Sequence, residues 1–291
     1  MRTIILGANG QFGCDLTKAF RARGSEVTAL THQDVEISDV AAPEALWESL
    51  KPDVVVNTTA FHNVEACESE PRTAFAVNAL GARHLAVASV QHRFKLIHIS
   101  TDYVFDGAKG RPYTEEDAPH PLNAYGNSKL SGEYFIQAGA KDYAIVRVSG
   151  LYGAAPCRAK KGLNFVKTML KLARERGEVK VTADEFVTPT YTVASAAQVV
   201  KLAESGVSGL FHATPQGQCS WYEFAEAIFR YTRTPVKLTR ASSADFPAKV
   251  PRPRYSVLEN KALREAGLDI MPDWTECLRG YLMETGELRE E

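Results

Sequence analysis

A glycine-rich turn near the N-terminus constrains the possible folds of this chain more than any other feature. Gly7, Gly10 and Gly13 follow an apolar run at residues 3–6 and open a segment with apolar residues at helical spacing. Glycines allow a tight turn and a close approach of the backbone to a pyrophosphate, which the N-terminus of a helix attracts. The spacing is Gly-x-x-Gly-x-x-Gly rather than the commoner Gly-x-Gly-x-x-Gly. A strand, a glycine turn and a helix in this order predict the start of a dinucleotide-binding α/β fold.

The rest of the first half alternates between strand-like and helix-like segments. Strands are predicted at residues 26–30, 54–57, 95–100 and 143–148, and helices at residues 43–50, 73–91 and 125–137. Continuous apolar strands are typical of a parallel sheet covered on both faces, so we expect a doubly wound, Rossmann-like sheet. Ligands of such sheets bind at the carboxyl ends of the strands. The residues predicted to lie there are Gly7, Thr59, Ala60, Ser100, Thr101, Ser149 and Gly150.

The pattern becomes less regular after about residue 150. Helices are predicted at residues 163–176, 193–205, 221–231 and 274–283, and short strands at residues 179–181 and 210–212. We therefore interpret residues 1–150 as an NAD(P)-binding domain and residues 151–291 as mainly a smaller, substrate-binding lobe, with the chain free to cross between the two. Lys160 and Lys161 lie on a loop between them, where they would either attract a diphosphate or be ordinary surface residues.

Composition excludes several classes of function. The chain has 34 Lys and Arg against 35 Asp and Glu, which leaves no basic field for nucleic acid. No apolar run approaches the roughly 20 residues of a membrane span, and the first strand leaves no room for a signal peptide. The five cysteines are scattered and form no Cys-x-x-Cys, so neither a zinc site nor a disulfide framework is predicted. These features favour a cytoplasmic protein. No metal site is predicted, and the sequence leaves open whether the protein is a monomer or a homodimer.

Tyr125 and Lys129 carry the clearest chemical signal. A spacing of four residues places them on one face of a helix. If that face lines a cofactor site, Lys129 would hold the Tyr125 phenol, whose ordinary pKa is about 10, near ionisation, and Thr101 would share a hydrogen bond with it. Alone, such a pair is usually an exposed helix pair. Together with the glycine turn, it favours a proton donor.

At this point the sequence resembles the extended short-chain dehydrogenase/reductase family, and within it the dTDP-4-dehydrorhamnose reductases. The resemblance covers almost the whole chain. The matching stretches are residues 7–13, 64–68, 100–107, 121–126, 164–170, 189–190, 221–225 and 252–258. The Ser-Thr-Asp-Tyr-Val-Phe run that starts at Ser100 and the loop that starts at Arg252 are specific to the narrower group, whereas Tyr-x-x-x-Lys is common to the wider family.

The resemblance implies an NAD(P)H-dependent reduction of the 4-keto group of a nucleotide-linked deoxysugar, with dTDP-4-dehydrorhamnose as substrate and dTDP-L-rhamnose as product. It implies a catalytic role for Thr101, Tyr125 and Lys129, with Tyr125 giving a proton to the carbonyl oxygen. The cofactor residues, from the resemblance and the turn together, are Gly7, Gly10, Gln11, Phe12, Gly13, Thr31, Glu36, Ile37, Thr59, Ala60, Phe61, Asn78 and Ser100, with Tyr125 and Lys129. The substrate residues are Thr101, Asp102, Val104, Phe105, Gly150, Asn164, Arg252 and Ser256.

Two local features bear on specificity. Gly150 stands where well-known members have tryptophan, and an indole that could bury 150–250 Å² is therefore missing. Either the sugar side of the cleft is wider, or a neighbouring aromatic such as Tyr152 or Phe186 fills the space. The second predicted strand ends without a carboxylate at its tip to repel a 2′-phosphate and without an arginine to attract one, so both NADPH and NADH should be accepted.

Other functions remain open from the sequence. A non-catalytic, NADP-binding regulatory subunit resembling that of methionine adenosyltransferase shares many of these motifs, but would have no chemical need for Thr101, Tyr125 and Lys129 together. A sugar-nucleotide epimerase or dehydratase is a further alternative. A dehydratase usually has Asp-Glu after the threonine, whereas here Asp102 is followed by Tyr103. His62 and His98 have no second ligand at metal spacing and are interpreted as structural.

Overall fold

A six-stranded parallel sheet forms the centre of the molecule. The computed structural model describes residues 1–39, 44–156, 162–246 and 248–289. The strands lie in the order β10-β5-β4-β3-β1-β2, and each neighbouring pair is parallel. Their bounds are β1 Arg2–Leu6, β2 Glu26–Leu30, β3 Val54–Asn57, β4 Lys95–Thr101, β5 Tyr143–Val148 and β10 Gly209–His212. The predicted α/β class is confirmed, and β2, β3 and β5 have the predicted bounds.

Helices cover both faces of this sheet. On one face, α1 (Gln11–Ala22) and α8 (Thr192–Glu204) pack on strand residues such as Ile5 and Val56. On the other, α5 (Gly81–His92) and α6 (Ala124–Gly139) pack on the alternate residues, such as Ile4 and Val55. Successive side chains of a strand point to opposite faces, so a strand covered on both faces is apolar throughout.

The segment predicted as one helix at residues 73–91 is continuous but not uniform. It consists of α4 (Pro71–Phe75), a π-helical turn (Ala76–Leu80) and α5. A π turn adds a residue to the turn and is common near functional sites. Here it contains Asn78, whose buried side chain contacts the loop after β3. Periodicity alone does not reveal such a local change of pitch.

The second half forms a further lobe around its own core. Three two-stranded sheets pair β6 (Leu151–Tyr152) with β9 (Thr190–Tyr191), β7 (Glu178–Thr182) with β12 (Lys237–Ala241), and β8 (Phe186–Val187) with β11 (Cys219–Ser220). The apolar core of this lobe also includes residues of α7 (Phe165–Arg176), α9 (Trp221–Thr232) and α11 (Trp274–Glu284). The remaining helices are α2 (Glu44–Leu50), α3 (Val64–Ser69) and α10 (Lys261–Glu265).

The chain crosses from this lobe back to the main sheet. Strand β10 pairs with β5, and α8 packs against α1, although both follow residue 150. The division of the chain into an NAD(P)-binding part before residue 150 and a mainly substrate-binding part after it therefore remains a proposal. Pro43, the predicted start of α2, and the pair Lys160 and Lys161 lie outside the described residues. Within the described part of the chain, no helix is both long and apolar enough to cross a membrane.

Candidate active site

The glycine turn lies at the carboxyl end of β1 and is tightly packed. Gly7 has a φ of +78°, in the left-handed region that favours glycine. A Cβ on Gly13 would lie 2.3 Å from the carbonyl oxygen of Gly7, so only glycine allows the helix to start this close to the turn. Gly10 precedes α1 as its N-cap. The turn thus presents bare backbone at a helix N-terminus, as the pyrophosphate of a dinucleotide requires.

Gln11 and Phe12 do not present free side chains to this turn. The side-chain amide of Gln11 donates to the carbonyl oxygens of Gly153 and Ala155, at 3.1 and 2.9 Å. Gln11 therefore ties α1 to the second lobe. The Phe12 ring is buried in the core under the sheet. A ligand at the turn would therefore contact the backbone of Phe12 and not its ring.

The loop after β3 is held by Asn78. Its side-chain oxygen accepts from the Phe61 backbone N–H at 2.9 Å, and its amide group donates to the Phe61 carbonyl oxygen at 3.0 Å. The same amide group donates to Ser128 Oγ on α6 at 3.0 Å. Asn78 thereby fixes the positions of Thr59, Ala60 and Phe61 at the edge of the sheet. Its side chain is fully used within the protein.

The tip of β2 carries a carboxylate that the sequence prediction missed. Asp34 accepts hydrogen bonds from the backbone N–H and the hydroxyl of Thr31, both at 2.8 Å. These hydrogen bonds lower the pKa of Asp34. The carboxylate therefore folds back onto the strand end, although it lies four residues beyond it in sequence. The expectation of a tip without a carboxylate is wrong.

Glu36 and Ile37, the other residues predicted near the adenosine half of the cofactor, differ in exposure. Glu36 is exposed and accepts from the backbone N–H and hydroxyl of Ser38 at 3.0 and 2.7 Å. The Ile37 side chain is buried in the core on the α5 face, and a Cβ on Gly81 would lie 2.7 Å from it. A cofactor would thus meet the Ile37 backbone rather than its side chain.

Thr101 and Asp102 lie where β4 ends. Thr101 Oγ1 donates to the carboxylate of Asp102 at 3.0 Å. Ser149 Oγ also donates to that carboxylate, at 2.9 Å, and Ser256 lies close enough to lower its pKa. Burial raises the pKa of Asp102, while the hydroxyl groups oppose this rise. Three segments of the chain therefore meet at one buried carboxylate, and Ser149 is a member that the sequence analysis placed at this edge without giving it a role.

Tyr125 approaches Thr101 from the first turn of α6. Asn123 caps this helix by accepting from the Gly126 N–H at 2.9 Å. A Cβ on Gly126 would lie 2.2 Å from the Tyr103 carbonyl oxygen, so glycine lets the helix start against the loop that follows β4. Tyr125 is half-buried and lies beside Thr101, close enough for the threonine hydroxyl to lower the pKa of the phenol. The structure thus brings together the tyrosine and threonine that the sequence singled out.

The pKa of Tyr125 differs from the sequence-based expectation. Burial raises it above its ordinary range, and Asp102 and Tyr103 act in the same direction, whereas the neighbouring Thr101 hydroxyl lowers it. Lys129 Nζ contacts His98 and the Ile99 carbonyl oxygen instead. Burial lowers the pKa of Lys129 to about 8. The phenol is therefore a protonated acid at neutral pH rather than a group held near ionisation.

Three residues predicted at the substrate have buried side chains that serve the fold. Val104 and Phe105 lie in a small apolar cluster, where the Phe105 ring stacks on Tyr113 at 4.2 Å between centroids. Asn164 caps α7 and donates to the Gly153 carbonyl oxygen at 2.9 Å and the Tyr281 hydroxyl at 3.0 Å. Arg252, by contrast, is exposed; burial raises the pKa of Tyr103, next to Asp102, and the charge of Arg252 opposes this rise.

The space beside Gly150 has an aromatic neighbour. Gly150 has a φ of +53°, and a Cβ on it would lie 3.2 Å from Val187 Cγ2 and 3.6 Å from Cη2 of Trp221. Trp221 is half-buried and packs on Phe165 at 4.6 Å between ring centroids. An indole from α9 thus stands beside Gly150, the position at which the family resemblance led us to expect a tryptophan. The sequence prediction named Tyr152 and Phe186 for this space and not Trp221.

Comparison with known proteins agrees with this architecture. Residues 1–286 match the sequence model of the RmlD substrate binding domain. This chain belongs to the RmlD substrate binding domain family. A Bacillus subtilis (strain 168) relative, spore coat polysaccharide biosynthesis protein SpsK, is 40% identical over 284 residues, which cover 97% of each chain.

Two solved structures resemble this RmlD-family chain closely. A dTDP-4-dehydrorhamnose reductase from Clostridium acetobutylicum is 40% identical with a TM-score of 0.93, covering 98% of this chain and 100% of that one. A dTDP-4-dehydrorhamnose reductase from Bacillus anthracis, solved in complex with NADP, is 37% identical with a TM-score of 0.92, covering 97% of this chain and 99% of that one.

Among the described residues, no three His, Cys, Asp or Glu side chains converge as metal ligands would.

Proposed function

We propose that this protein is an NAD(P)H-dependent reductase of the 4-keto group of a dTDP-linked deoxysugar, converting dTDP-4-dehydrorhamnose to dTDP-L-rhamnose. The observation that carries the proposal is the placement of Tyr125 beside Thr101 and the buried Asp102, at the same sheet edge as the glycine turn. Support comes from the family membership and from the NADP-bound reductase of the same fold and length.

The glycine turn fits a dinucleotide, because a side chain at Gly13 would collide with the Gly7 carbonyl oxygen. Backbone N–H groups around Gly10 and at the start of α1 would hold the pyrophosphate. The loop carrying Thr59, Ala60 and Phe61, fixed by Asn78, would border the next part of the cofactor. A bound nicotinamide cofactor supplies the hydride that the reduction needs.

Within this site, Tyr125 is proposed as the general acid. Its phenol gives a proton to the carbonyl oxygen of the sugar as the carbonyl carbon becomes an alcohol carbon, so that the product leaves with one more C–H and one more O–H bond. Thr101, whose hydroxyl proton goes to Asp102, is proposed to position the phenol. Asp102 fixes the Thr101 hydroxyl, since it accepts its hydrogen bond. Lys129 is proposed to bind the cofactor ribose.

The direct test is NADPH oxidation with dTDP-4-dehydrorhamnose generated in situ. We expect consumption of NADPH and an equal amount of dTDP-L-rhamnose. An epimerase or dehydratase would convert a sugar nucleotide with no net use of NADPH. A regulatory protein would bind NADPH without turning over, and this outcome would overturn the proposed function.

The substrate partner, the cellular location and the oligomeric state are further parts of the proposal. We propose that the substrate partner is a dTDP-linked sugar and that the enzyme works in the cytoplasm, where the four described cysteines would stay free thiols, as they are in the structure. Either a monomer or a homodimer is compatible with the proposal, and sedimentation would distinguish them.

A further inference from the structure

A buried chain of hydrogen bonds joins Lys129 to the end of β3. Lys129 Nζ lies 3.0 Å from Nε2 of His98 and 2.7 Å from the Ile99 carbonyl oxygen. On the other side of the imidazole, Nδ1 of His98 lies 3.0 Å from Nδ2 of Asn57. Asn57, His98 and Lys129 are each no more than 2% exposed. Their polar atoms must therefore be satisfied by one another and by the surrounding protein.

The orientation of the Asn57 amide is fixed by Thr59. The backbone N–H of Thr59 donates to Asn57 Oδ1 at 3.0 Å, and the Thr59 hydroxyl donates to the same oxygen at 2.6 Å. A backbone N–H can only donate, so the amide oxygen must face Thr59 and the NH₂ group must face His98. Since this NH₂ group also can only donate, Nδ1 of His98 accepts and carries no proton.

The remaining proton of a neutral imidazole must then be on Nε2, pointing at Lys129 Nζ. An ammonium group has only donors and cannot accept this proton, whereas an amine has a lone pair that can. The amine still has an N–H for the Ile99 carbonyl oxygen. We propose that His98 is a positioning residue that, held by Asn57, donates its Nε2–H to Lys129 and keeps Lys129 an uncharged amine in the protein free of cofactor.

The electrostatic surroundings agree with this assignment. Burial is the largest cause that lowers the pKa of His98 well below its usual range, so the imidazole is neutral. Glu133, one turn along α6, raises the pKa of Lys129, but its carboxylate is paired with the buried guanidinium of Arg147. Burial is the larger effect and brings the pKa of Lys129 to about 8. The amine is thus accessible close to neutral pH.

The tautomer of His98 tests the proposal without any cofactor or substrate. In protein with ¹⁵N-labelled histidine at about pH 8, long-range ¹H–¹⁵N correlation spectra show which ring nitrogen carries the proton. His212 is an internal reference, because its Nδ1 lies 3.1 and 3.2 Å from two backbone carbonyl oxygens and must be protonated there. We expect opposite tautomers, Nε2–H for His98 and Nδ1–H for His212. A protonated Nδ1 on His98 would overturn the proposal.

The signals can be assigned with either of two variants. His98→Gln or His212→Asn removes one of the two buried histidines, so the signals can be assigned as long as one of these variants folds. The result does not depend on the proposed function, since the free protein is measured. A failure of the enzyme to reduce a sugar nucleotide would leave the tautomer result unchanged.

Asn57→Asp tests the link to Lys129. Aspartate keeps the acceptor for Thr59 but places a second acceptor against Nδ1 of His98, which should move the proton to Nδ1 and leave Nε2 as an acceptor for an ammonium group. We expect the affinity of Lys129 for a proton to rise about tenfold or more. The shift would be read from ¹³Cε-lysine titrations, with Lys129→Met for assignment. An unchanged titration of Lys129 in Asn57→Asp would contradict the proposal.

Asn63→Asp is the matched control for this variant. Asn63 caps α3 through its side-chain oxygen on the exposed surface, and aspartate keeps that cap while adding the same charge. It should leave the titration of Lys129 unchanged.

Under the proposed function, binding of NADPH should also draw one proton to Lys129. Calorimetry in two buffers of different ionisation enthalpy should detect this proton for the wild type and not for Asn57→Asp.

Discussion

At the scale of single residues, the site depends on a phenol that keeps its proton. Burial and Asp102 raise the pKa of Tyr125, so its proton is present throughout the neutral range. Tyr125→Phe should therefore reduce the rate of reduction by about 10²–10⁴-fold, the usual loss when a general acid is removed. Tyr134→Phe, on the exposed side of the same helix, should retain full activity.

Binding of NADPH separates this role from a structural one. Fluorescence titration should give similar affinities for the wild type and Tyr125→Phe, because the change removes one hydroxyl and keeps the ring. If Tyr125→Phe reduced the sugar nucleotide within a few-fold of the wild type, Tyr125 would not be the acid.

A second prediction at this scale concerns Asp34. Its ionised carboxylate at the tip of β2 lies where a 2′-phosphate would approach, and like charges repel. We expect Asp34→Asn to improve kcat/KM for NADPH by about a few-fold relative to NADH, with a smaller effect at high salt because the group is exposed. Glu26→Gln, which removes a charge from the opposite end of β2, should leave the ratio unchanged. An unaltered ratio in Asp34→Asn would show that the cofactor avoids this carboxylate.

The third prediction concerns Gly150, where the structure favours a space bordered by an aromatic side chain over the wider cleft that the sequence also allowed. The positive φ of Gly150 disfavours any side chain by about 1–2 kcal/mol, and Trp221 already borders the space. Gly150→Trp should therefore lower both stability and the affinity for every sugar nucleotide. The double variant with Trp221→Ala should recover part of the affinity, since one indole again lines the cleft. Tighter binding by Gly150→Trp alone would restore the wide-cleft interpretation.

The sequence could propose most single residues of the candidate site but not their surroundings. Thr101 and Tyr125 are recognisable because a motif of known spacing places them together. Asp34 was missed because its carboxylate reaches the strand tip by folding back through two hydrogen bonds. Trp221 was missed because its helix lies far along the chain from Gly150. Such contacts depend on tertiary structure, which spacing does not encode.

At the scale of elements, α6 is fixed to the sheet by a buried ion pair. Arg147 on β5 donates to both carboxylate oxygens of Glu133, at 2.9 and 2.6 Å, and Ser100 on β4 donates to the same carboxylate. Glu133→Ala leaves a buried guanidinium unpaired, and we expect a loss of about 3–5 kcal/mol in the free energy of unfolding. Chemical denaturation measures this loss.

An exposed pair provides the comparison. Lys171 and Glu175 on α7 are 3.8 Å apart and more than half exposed. Glu175→Ala should change the free energy of unfolding by less than about 0.5 kcal/mol. Equal effects of Glu133→Ala and Glu175→Ala would mean that the buried pair adds little to the attachment of α6.

The fifth prediction concerns the buried Lys129 on the same helix. Its pKa is about 8 in the folded protein against 10.5 ordinarily, so the unfolded chain binds more protons between these values. The contribution of Lys129 to stability therefore rises as pH increases from 8 to 10.5. Between pH 8 and pH 10.5 the wild type should therefore gain about 3 kcal/mol in the free energy of unfolding relative to Lys129→Met, which has no titrating group at this position. Denaturation curves at several pH values, with the exposed Lys171→Met as control, would show a constant difference if this assignment were wrong.

At the scale of the whole molecule, the main sheet was predictable because its strands are short apolar runs separated by helices. The return of β10 to this sheet was not predicted. Its four residues form a recognisable strand, but nothing in them indicates β5 as the partner rather than a strand of the second lobe. Pairing between distant segments is decided by the packing of α8 and the sheet, which emerges only in three dimensions.

The late position of β10 also sets an order of events during synthesis. Strand β5 ends at Val148, and β10 begins at Gly209. A ribosome adding about 5–20 residues per second needs about 3–12 s to cover that interval, and the whole of α7 and α8 is made within it. Throughout this time β5 is the bare edge of a nascent sheet, with backbone groups open to any strand that meets them. Translational pauses before Gly209 should thus lengthen the period in which the newborn chain depends on chaperones.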